Sequence, residues 1–290
     1  MRKGVLMLLS ALFLSLLPPG LSDVVDTFSE KNCLTFFLNG KTPSIPGILV
    51  NGNVQDQKRY KPICQNYTKV YRFATLYDTA NKIPVFSAYK FTGFVKGRPS
   101  QAWMIEPELE QQALDADYNV GNRNDMHRGH LYPCSHANCY TEQRATFTLT
   151  NAVPQVSSFN IGSWKKVEGS IRLEMKKSCL QKRKQIEAYV VTGAIPGKKI
   201  MNNEVNIPSV MWTAYCCYNS ETKNWISKAH WGLNKPERKG IKQTGKTLEE
   251  LENMLNRSYG DGVKVFPDCP RTVMARKRNW SETNEIEDFY

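Results

Sequence analysis

Cysteine placement constrains this chain more than any other feature, because all eight cysteines follow an N-terminal segment with the features of a secretory leader. Arg2 and Lys3 precede an apolar run over residues 5–17 and a small-residue break over 18–22, the order typical of a signal peptide. The apolar run is shorter than the ~20 residues that a membrane-spanning signal anchor needs. The sequence therefore predicts a signal peptide over residues 1–22 and a secreted, extracellular mature chain with no membrane span.

An even number of cysteines in an oxidising compartment favours disulfides, each of which contributes ~2–4 kcal/mol to stability. The sequence leaves the pairing open, except that the adjacent Cys216 and Cys217 are expected to take separate partners. Three Asn-X-Ser/Thr sequons, at Asn66, Asn256 and Asn279, are also typical of a secreted glycoprotein. The eight cysteines are Cys33, Cys64, Cys134, Cys139, Cys179, Cys216, Cys217 and Cys269.

Basic residues outnumber acidic ones, 39 to 27, which gives the 290-residue chain a formal net charge of +12. Loss of a leader that contains Arg2 and Lys3 lowers this charge from +12 to +10, so most of the excess belongs to the mature protein. With 41% hydrophobic residues, the chain is able to bury a core. The composition thus excludes a wholly disordered chain and favours a polyanionic partner.

Hydrophobic periodicity predicts one mixed α+β domain over residues 23–270 and a C-terminal tail over 271–290. The clearest unit is a hairpin of two antiparallel strands, over 69–77 and 84–92. The stretch 97–121 has little periodicity and is interpreted as a long surface loop, a candidate wall of a substrate channel. Further strands are predicted over 146–150, 186–195 and 207–218, and helices over 160–178 and 248–255.

The densest cluster of reactive side chains is the segment His127-Arg128-Gly129-His130. A histidine accepts a proton near neutral pH and an arginine fork holds phosphate oxygens, so the pair suits phosphodiester cleavage. By itself the tetrapeptide is a weak signal, since two histidines in a basic segment are more often ordinary surface residues.

Polar residues downstream strengthen this hypothesis, because positions 160, 164, 168 and 172 share one face of the predicted helix. Asn160 and Glu168 are then about 12 Å apart along the helix axis. Asn160 is able to bind a Mg²⁺ ion that keeps most of its waters, while Glu168 accepts hydrogen bonds from those waters. The alternative is that Glu168 and Arg172 form only a solvated ion pair. Trp164, on the same face, is expected to lie in the core.

Three segments together resemble the DNA/RNA non-specific endonuclease family of the ββα-metal superfamily: residues 127–133 (HRGHLYP), 147–155 (FTLTNAVPQ) and 160–164 (NIGSW), followed by Glu168 and Arg172. The resemblance covers most of the mature chain. It implies a largely antiparallel sheet with flanking helices, a ββα-metal active-site motif and disulfides. It also implies hydrolysis of DNA and/or RNA to 5′-phosphate and 3′-hydroxyl products.

The resemblance also implies a role for each matching residue. His130 would be the general base, Asn160 the ligand of a divalent ion (Mg²⁺ or Mn²⁺), and Glu168 the residue that orients water around that ion. Arg128 and Arg172 would stabilise charge on the phosphate, and Asn151 would support His130 or the cleft. Lys165 and Lys166, together with Arg172, are candidate substrate-binding residues.

One position departs from the family pattern, since His127 occupies the place where the family usually has aspartate. The substitution removes a carboxylate beside the site and puts an imidazole in its place. Asp125 lies two residues earlier, which on a strand displaces a carboxylate by roughly 6–7 Å on the same face. The sequence therefore indicates membership of the family more strongly than it indicates activity.

Two other interpretations use the same residues. Five residues between 127 and 139 have spacings that could supply a zinc site, but an oxidising compartment favours a Cys134–Cys139 disulfide instead. Alternatively, the chain is a catalytically lapsed secreted protein that binds nucleic acid or another polyanion through lysines at 165, 166, 176 and 177 and the basic run 182–184. No recognition-helix or zinc-finger pattern is present, which argues against sequence-specific recognition.

Overall fold

A seven-stranded antiparallel sheet forms the centre of the molecule, with strands in the order β1-β4-β5-β6-β9-β12-β13. The other strands form three two-stranded units, β2-β3, β7-β8 and β10-β11. The strands are β1 (Asp23–Val24), β2 (Leu49–Val50), β3 (Asn53–Val54), β4 (Tyr60–Tyr67), β5 (Val70–Asp78), β6 (Ile83–Phe91), β7 (Met126–His130), β8 (Ala152–Val156), β9 (Ala188–Ile195), β10 (Lys199–Met201), β11 (Val205–Ile207), β12 (Val210–Asn219) and β13 (Asn224–Leu233).

The computed structural model describes residues 22–118, 125–202, 204–238, 240–241 and 243–271. Apart from Ser22 and Arg271, the predicted signal peptide and tail lie outside these residues, as does the sequon at Asn279. The predicted α+β class with a largely antiparallel sheet is confirmed.

Five α-helices accompany the sheet in the described part of the chain, and none of these is long and apolar enough to cross a membrane. They are α1 (Asp115–Tyr118), α2 (Tyr140–Ala145), α3 (Ser157–Phe159), α4 (Lys165–Ser178) and α5 (Leu248–Tyr259). A π-helical turn, Asn160–Trp164, joins α3 to α4. The 3₁₀ helices are Glu30–Phe36, Leu38–Gly40, Cys134–His136, Leu149–Asn151 and Lys182–Lys184.

Both faces of the central sheet are covered by apolar side chains, because successive residues of a strand point to opposite faces. Strand β12 shows the alternation: Trp212, Ala214 and Cys216 belong to one buried cluster. Met211, Tyr215 and Cys217 belong to the other. The first cluster packs beneath α5, and the second packs beneath α4 and the β7-β8 pair. The strand therefore links two cores.

Disulfides fasten chain segments to both faces of the sheet. Cys217 bonds to Cys179 at the end of α4, and Cys216 bonds to Cys269 near the C-terminal end of the described chain. The third bridge joins Cys33 to Cys64 on β4. The expectation that the adjacent cysteines take separate partners is confirmed.

The predicted Cys134–Cys139 disulfide is wrong, since both cysteines are free. Cys134 is buried in a 3₁₀ helix and lines a cleft, whereas Cys139 immediately precedes α2. The two cysteines therefore lie in different local structures. Although they are only five residues apart in sequence, they do not form a disulfide.

Local patterns located most elements but missed two boundaries near the cleft. The hairpin β5-β6 and the helix α5 are confirmed, with α5 starting at a capping box between Thr247 and Glu250. The strand predicted over 146–150 is wrong, because that segment leads into a 3₁₀ turn and the strand starts at Ala152. The regular α-helix predicted from Asn160 instead starts at Lys165, after the π-helical turn.

Candidate active site

An open cleft of about 350 Å³ gathers residues from five parts of the chain, one of which is Pro133 and Cys134 at the start of a 3₁₀ helix. Strand β7 contributes Met126, His127, Arg128 and His130, and the loop before α1 contributes Arg98 and Trp103. The π-helical turn contributes Asn160, and α4 contributes Glu168. The fold therefore brings together four predicted site residues, Arg128, His130, Asn160 and Glu168, although 40 positions of sequence separate the first from the last.

A close approach between β7 and β8 explains the glycine between Arg128 and His130. The two strands pair antiparallel, with Gly129 opposite Val153. A Cβ atom on Gly129 would lie 2.0 Å from Oε1 of Gln155, a buried side chain on β8. Since that distance is far below van der Waals contact, glycine lets the strands pack and keeps Arg128 and His130 on the cleft side.

His130 is largely buried, with 8% of its surface exposed, and it is held between aromatic rings. Its ring centroid lies 4.8 Å from that of Trp103 and 4.9 Å from that of Phe147. Burial, followed by the positive charge of Arg98, lowers the pKa of His130 to about 3. The imidazole is therefore neutral at physiological pH and able to accept a proton.

Asn151 lies outside the cleft lining and is fully buried behind His130. Its Oδ1 accepts hydrogen bonds from the backbone N–H of Tyr132 and the hydroxyl of Ser87, both at 2.9 Å. Its Nδ2 donates to the carbonyl oxygens of Tyr132, at 3.1 Å, and Thr146, at 2.9 Å. Asn151 thus anchors the chain that leaves β7 immediately after His130.

Asn160 begins the π-helical turn and contacts the residue that departs from the family pattern. Its Nδ2 lies 3.1 Å from Nδ1 of His127, on the neighbouring strand β7. Because an amide nitrogen can only donate, Nδ1 of His127 accepts this hydrogen bond, and the Asn160 amide oxygen is left for another partner. His127 therefore takes part in orienting Asn160, a contact that no local sequence signal indicated.

Glu168 and Arg172 are both buried on α4, with 8% and 2% of their surfaces exposed. This burial contradicts the alternative of a solvated surface ion pair. Arg172 lies outside the cleft lining, with its guanidinium stacked on the Phe94 ring at 4.5 Å.

Trp164 is 1% exposed and packs on Phe159, which confirms its predicted place in the core.

Arg128 reaches the cleft and also bonds to α1. Its Nη2 donates to Oδ1 of Asp115 at 2.7 Å, and its guanidinium lies over the Tyr118 ring at 5.1 Å. A phosphate in the cleft would compete with Asp115 for this guanidinium, because both are anionic acceptors with matching geometry.

Sequence reasoning missed Arg98 and Trp103 as individual residues, although the loop that carries them was interpreted as a channel wall. Arg98 packs over Phe147 at 4.8 Å, and Trp103 packs on His130. The available signal was a cation and a large aromatic residue within a polar loop. Such a pair is common on protein surfaces. Only its position in the folded protein, beside His130, identifies it as part of the cleft.

The two remaining candidates, Lys165 and Lys166, form the start of α4 and lie outside the cleft lining.

His136, considered for a zinc site, has both ring nitrogens engaged in hydrogen bonds. Its Nδ1 is 2.8 Å from the Tyr89 hydroxyl and its Nε2 is 2.9 Å from the Glu168 carbonyl oxygen. Within the described residues, no three His, Cys, Asp or Glu side chains are grouped to hold a metal.

The donor chemistry of the cleft fits a divalent ion that retains most of its waters. The cleft presents the Asn160 amide and the Glu168 carboxylate, both oxygen donors, on elements that are adjacent in the chain. Mg²⁺ prefers oxygen ligands and is commonly bound by one or two protein groups together with water and substrate phosphate. The cleft also contains a soft donor, the sulfur of Cys134. Burial raises the pKa of this thiol to about 11, so it stays neutral, whereas a metal ligand would be the thiolate.

Comparison with solved structures defines the class of fold. The fold of this chain is similar to that of a chain in the crystal structure of the EndoG/EndoGI complex, a structure that describes the mechanism of EndoG inhibition. The TM-score is 0.54 and the sequence identity is 19%. The similarity covers 69% of this chain and 85% of that one. In this chain the β7-β8 pair is followed by α4, a strand-strand-helix arrangement.

The family follows from the sequence comparison. The family model for DNA/RNA non-specific endonucleases matches residues 52–266, so this chain belongs to that family. Two relatives, the human and mouse endonuclease domain-containing 1 proteins, are each 29% identical over 209 residues. Each match covers 64% of this chain and 38% of the relative, so the match spans less than half of each relative's length. Family and fold together support a nuclease.

Proposed function

We propose that the protein is a secreted, metal-dependent endonuclease that hydrolyses phosphodiester bonds in DNA and/or RNA without sequence specificity. The observation that carries this proposal is the convergence of His130, Arg128, Asn160 and Glu168 on one cleft. We assign the endonuclease domain to residues 23–270, behind a signal peptide over 1–22. The three disulfides and the apolar leader support secretion.

His130 acts as the general base in this proposal, because it is neutral and faces the cleft. A pKa of about 3 in the free protein makes it a weak base. A phosphodiester bound beside it adds negative charge, which favours the protonated imidazole and raises the pKa as the proton arrives. His130 then takes a proton from the water that attacks phosphorus.

The arginines hold and stabilise the phosphate. Arg98 and Arg128 face the cleft and neutralise the charge of the bound phosphodiester. Arg172, buried behind the wall, adds positive charge at longer range. Asn151 acts through its bonds to the backbone after His130 and is a positioning residue.

Asn160 would hold the divalent ion, Mg²⁺ or Mn²⁺, through its amide oxygen, and Glu168 would accept hydrogen bonds from the waters of that ion. When bound, such an ion would supply positive charge that stabilises the negative charge developing on the leaving group. The products are a 5′-phosphate and a 3′-hydroxyl.

The direct experiment is incubation of the purified chain with supercoiled plasmid and with a long RNA, in Mg²⁺, in Mn²⁺ and in chelator. We expect nicked and then linear DNA, or RNA fragments, only when a divalent ion is present. Chelator should stop cleavage, and excess Mg²⁺ should restore it. Cleavage that persists in chelator would contradict metal dependence.

Binding without cleavage is the alternative function, favoured by a run of lysines on α4. Lys166, Lys176 and Lys177 are exposed there, and the basic 3₁₀ helix Lys182–Lys184 follows. If the plasmid is retained but never cut, with or without chelator, the chain is a polyanion-binding protein.

Substrate binding by Lys165 and Lys166 is expected to be mainly electrostatic. Replacing both with glutamine should weaken DNA binding and reduce the magnitude of the slope of log K against log salt by up to about 2, since each phosphate contact contributes ~0.9. Fluorescence anisotropy at several salt concentrations measures that slope. Replacing Lys58 and Lys61, which lie far from α4 in sequence near the start of β4, provides a charge-matched control. Equal slopes for both variants would contradict the assignment.

A further inference from the structure

The π-helical turn that carries Asn160 is fastened by a residue from a distant part of the chain. Glu237, which follows β13, accepts a hydrogen bond from the backbone N–H of Ser163 at 2.6 Å. Its other carboxylate oxygen accepts from the Ser163 hydroxyl at 2.8 Å. One carboxylate therefore binds both donors of a single residue, three positions after Asn160.

One further hydrogen bond and one glycine complete this arrangement. The backbone N–H of Glu237 donates to the Ser158 hydroxyl at 3.2 Å, so the segment is fixed on both sides of Asn160. A Cβ atom on Gly162 would lie 2.5 Å from Oε1 of Glu237. The glycine thus provides the space that the carboxylate occupies.

The turn requires such an anchor because its backbone leaves the regular helix. Gly162 has φ −95° and ψ −112°, outside the helical range, and α4 begins only at Lys165. At such a break backbone N–H groups lack helical partners, and a buried donor without a partner is costly. Glu237 provides the acceptor for Ser163.

We infer that Glu237 is a positioning residue for Asn160: it fixes the turn so that the Asn160 amide faces the cleft and can bind a divalent ion. The inference rests on the proposed function for the metal. It adds a residue that lies outside the sequence motifs and 77 positions after Asn160. Glu237 is absent from the described cleft lining, so it acts through the turn and not on the substrate.

The test compares Glu237→Ala with Glu237→Gln. Alanine removes both acceptors, whereas glutamine keeps an oxygen for the Ser163 N–H and offers an N–H to the Ser163 hydroxyl. We expect Glu237→Ala to weaken Mn²⁺ affinity by about 10–100-fold, the range for residues that support a metal ligand. Glu237→Gln should recover most of that loss. Glu221→Ala, at an exposed position beyond β12, controls for the loss of one negative charge.

Two measurements on the purified full chain separate the outcomes: Mn²⁺ titration followed by electron paramagnetic resonance, and amide hydrogen exchange over residues 158–165. Glu237→Ala should also speed exchange in that segment more than in the rest of the described chain. If Asn160→Ala abolishes Mn²⁺ binding but Glu237→Ala changes neither affinity nor exchange, this inference alone is overturned. If wild-type Mn²⁺ binding does not depend on Asn160, the proposed metal site is wrong and the inference is overturned with it.

Discussion

Replacing His130 with alanine is expected to lower the rate of plasmid cleavage by about 10²–10⁴-fold, the usual contribution of a general base. The reason is that His130 is the neutral imidazole of the cleft and has no substitute there: the other cleft histidine, His127, contacts Asn160. A nicking assay with saturating Mg²⁺ measures the effect. Mn²⁺ affinity should stay close to wild type, because the ion is assigned to Asn160.

A matched control is available because the chain has another buried histidine, away from the cleft. His230 lies on β13 with 4% of its surface exposed. His230→Ala removes a packed imidazole in the same way and so reports the effect of a cavity on activity. If the two variants cut DNA equally well, His130 is not the base.

The free energy of unfolding is expected to fall steeply as pH decreases from about 6.5 to 3. Burial lowers the pKa of His136 to about 3. Burial, with the nearby charges of Lys228 and Lys246, does the same for His230. An unfolded histidine has a pKa of about 6.5. Between about pH 6.5 and pH 3 the unfolded chain therefore binds protons that the folded chain does not bind. The free energy of unfolding is highest above pH 6.5 and falls progressively as the pH decreases through this range. At pH 4.5 the loss is roughly 2–3 kcal/mol for each histidine.

Substitution of His230 tests this effect directly, since neither ring nitrogen has a hydrogen-bond partner among the described residues. In His230→Leu, the difference in unfolding free energy between pH 7.5 and pH 4.5 should shrink by roughly 2–3 kcal/mol. Urea denaturation at the two pH values measures it. Thr213→Val, at the paired position on β12, removes a buried polar group that does not titrate. A pH difference unchanged in His230→Leu would contradict the assignment.

The parts of the fold that sequence predicts well are those whose signals are local. The β5-β6 hairpin is encoded by alternation on either side of a short turn, and α5 by a Thr247 cap with glutamate three residues later. Gly129 and His130 were recognised because the motif is short and its spacing is fixed. The motif supplied two of the predicted site residues that line the cleft, Arg128 and His130.

The errors arose where distant residues decide local conformation. The β-branched segment over 146–150 looks like a strand. In the fold, however, the hydroxyls of Thr148 and Thr150 both donate to the buried Glu106, at 2.8 and 2.7 Å. The start of α4 is displaced because Glu237 holds Ser163 in a turn. Neither partner is visible in a window of neighbouring sequence, so periodicity alone gave the wrong boundary.

The adjacent cysteines on β12 have a consequence for how the protein matures. Before β12 pairs with its neighbours, Cys216 and Cys217 are chemically equivalent thiols one residue apart, and oxidation has no means of telling them apart. Once the strand is pleated, one thiol faces Cys179 and the other faces Cys269 across the thickness of the sheet. Correct oxidation therefore depends on prior strand pairing, and bridges that form before β12 is pleated would have to be reshuffled.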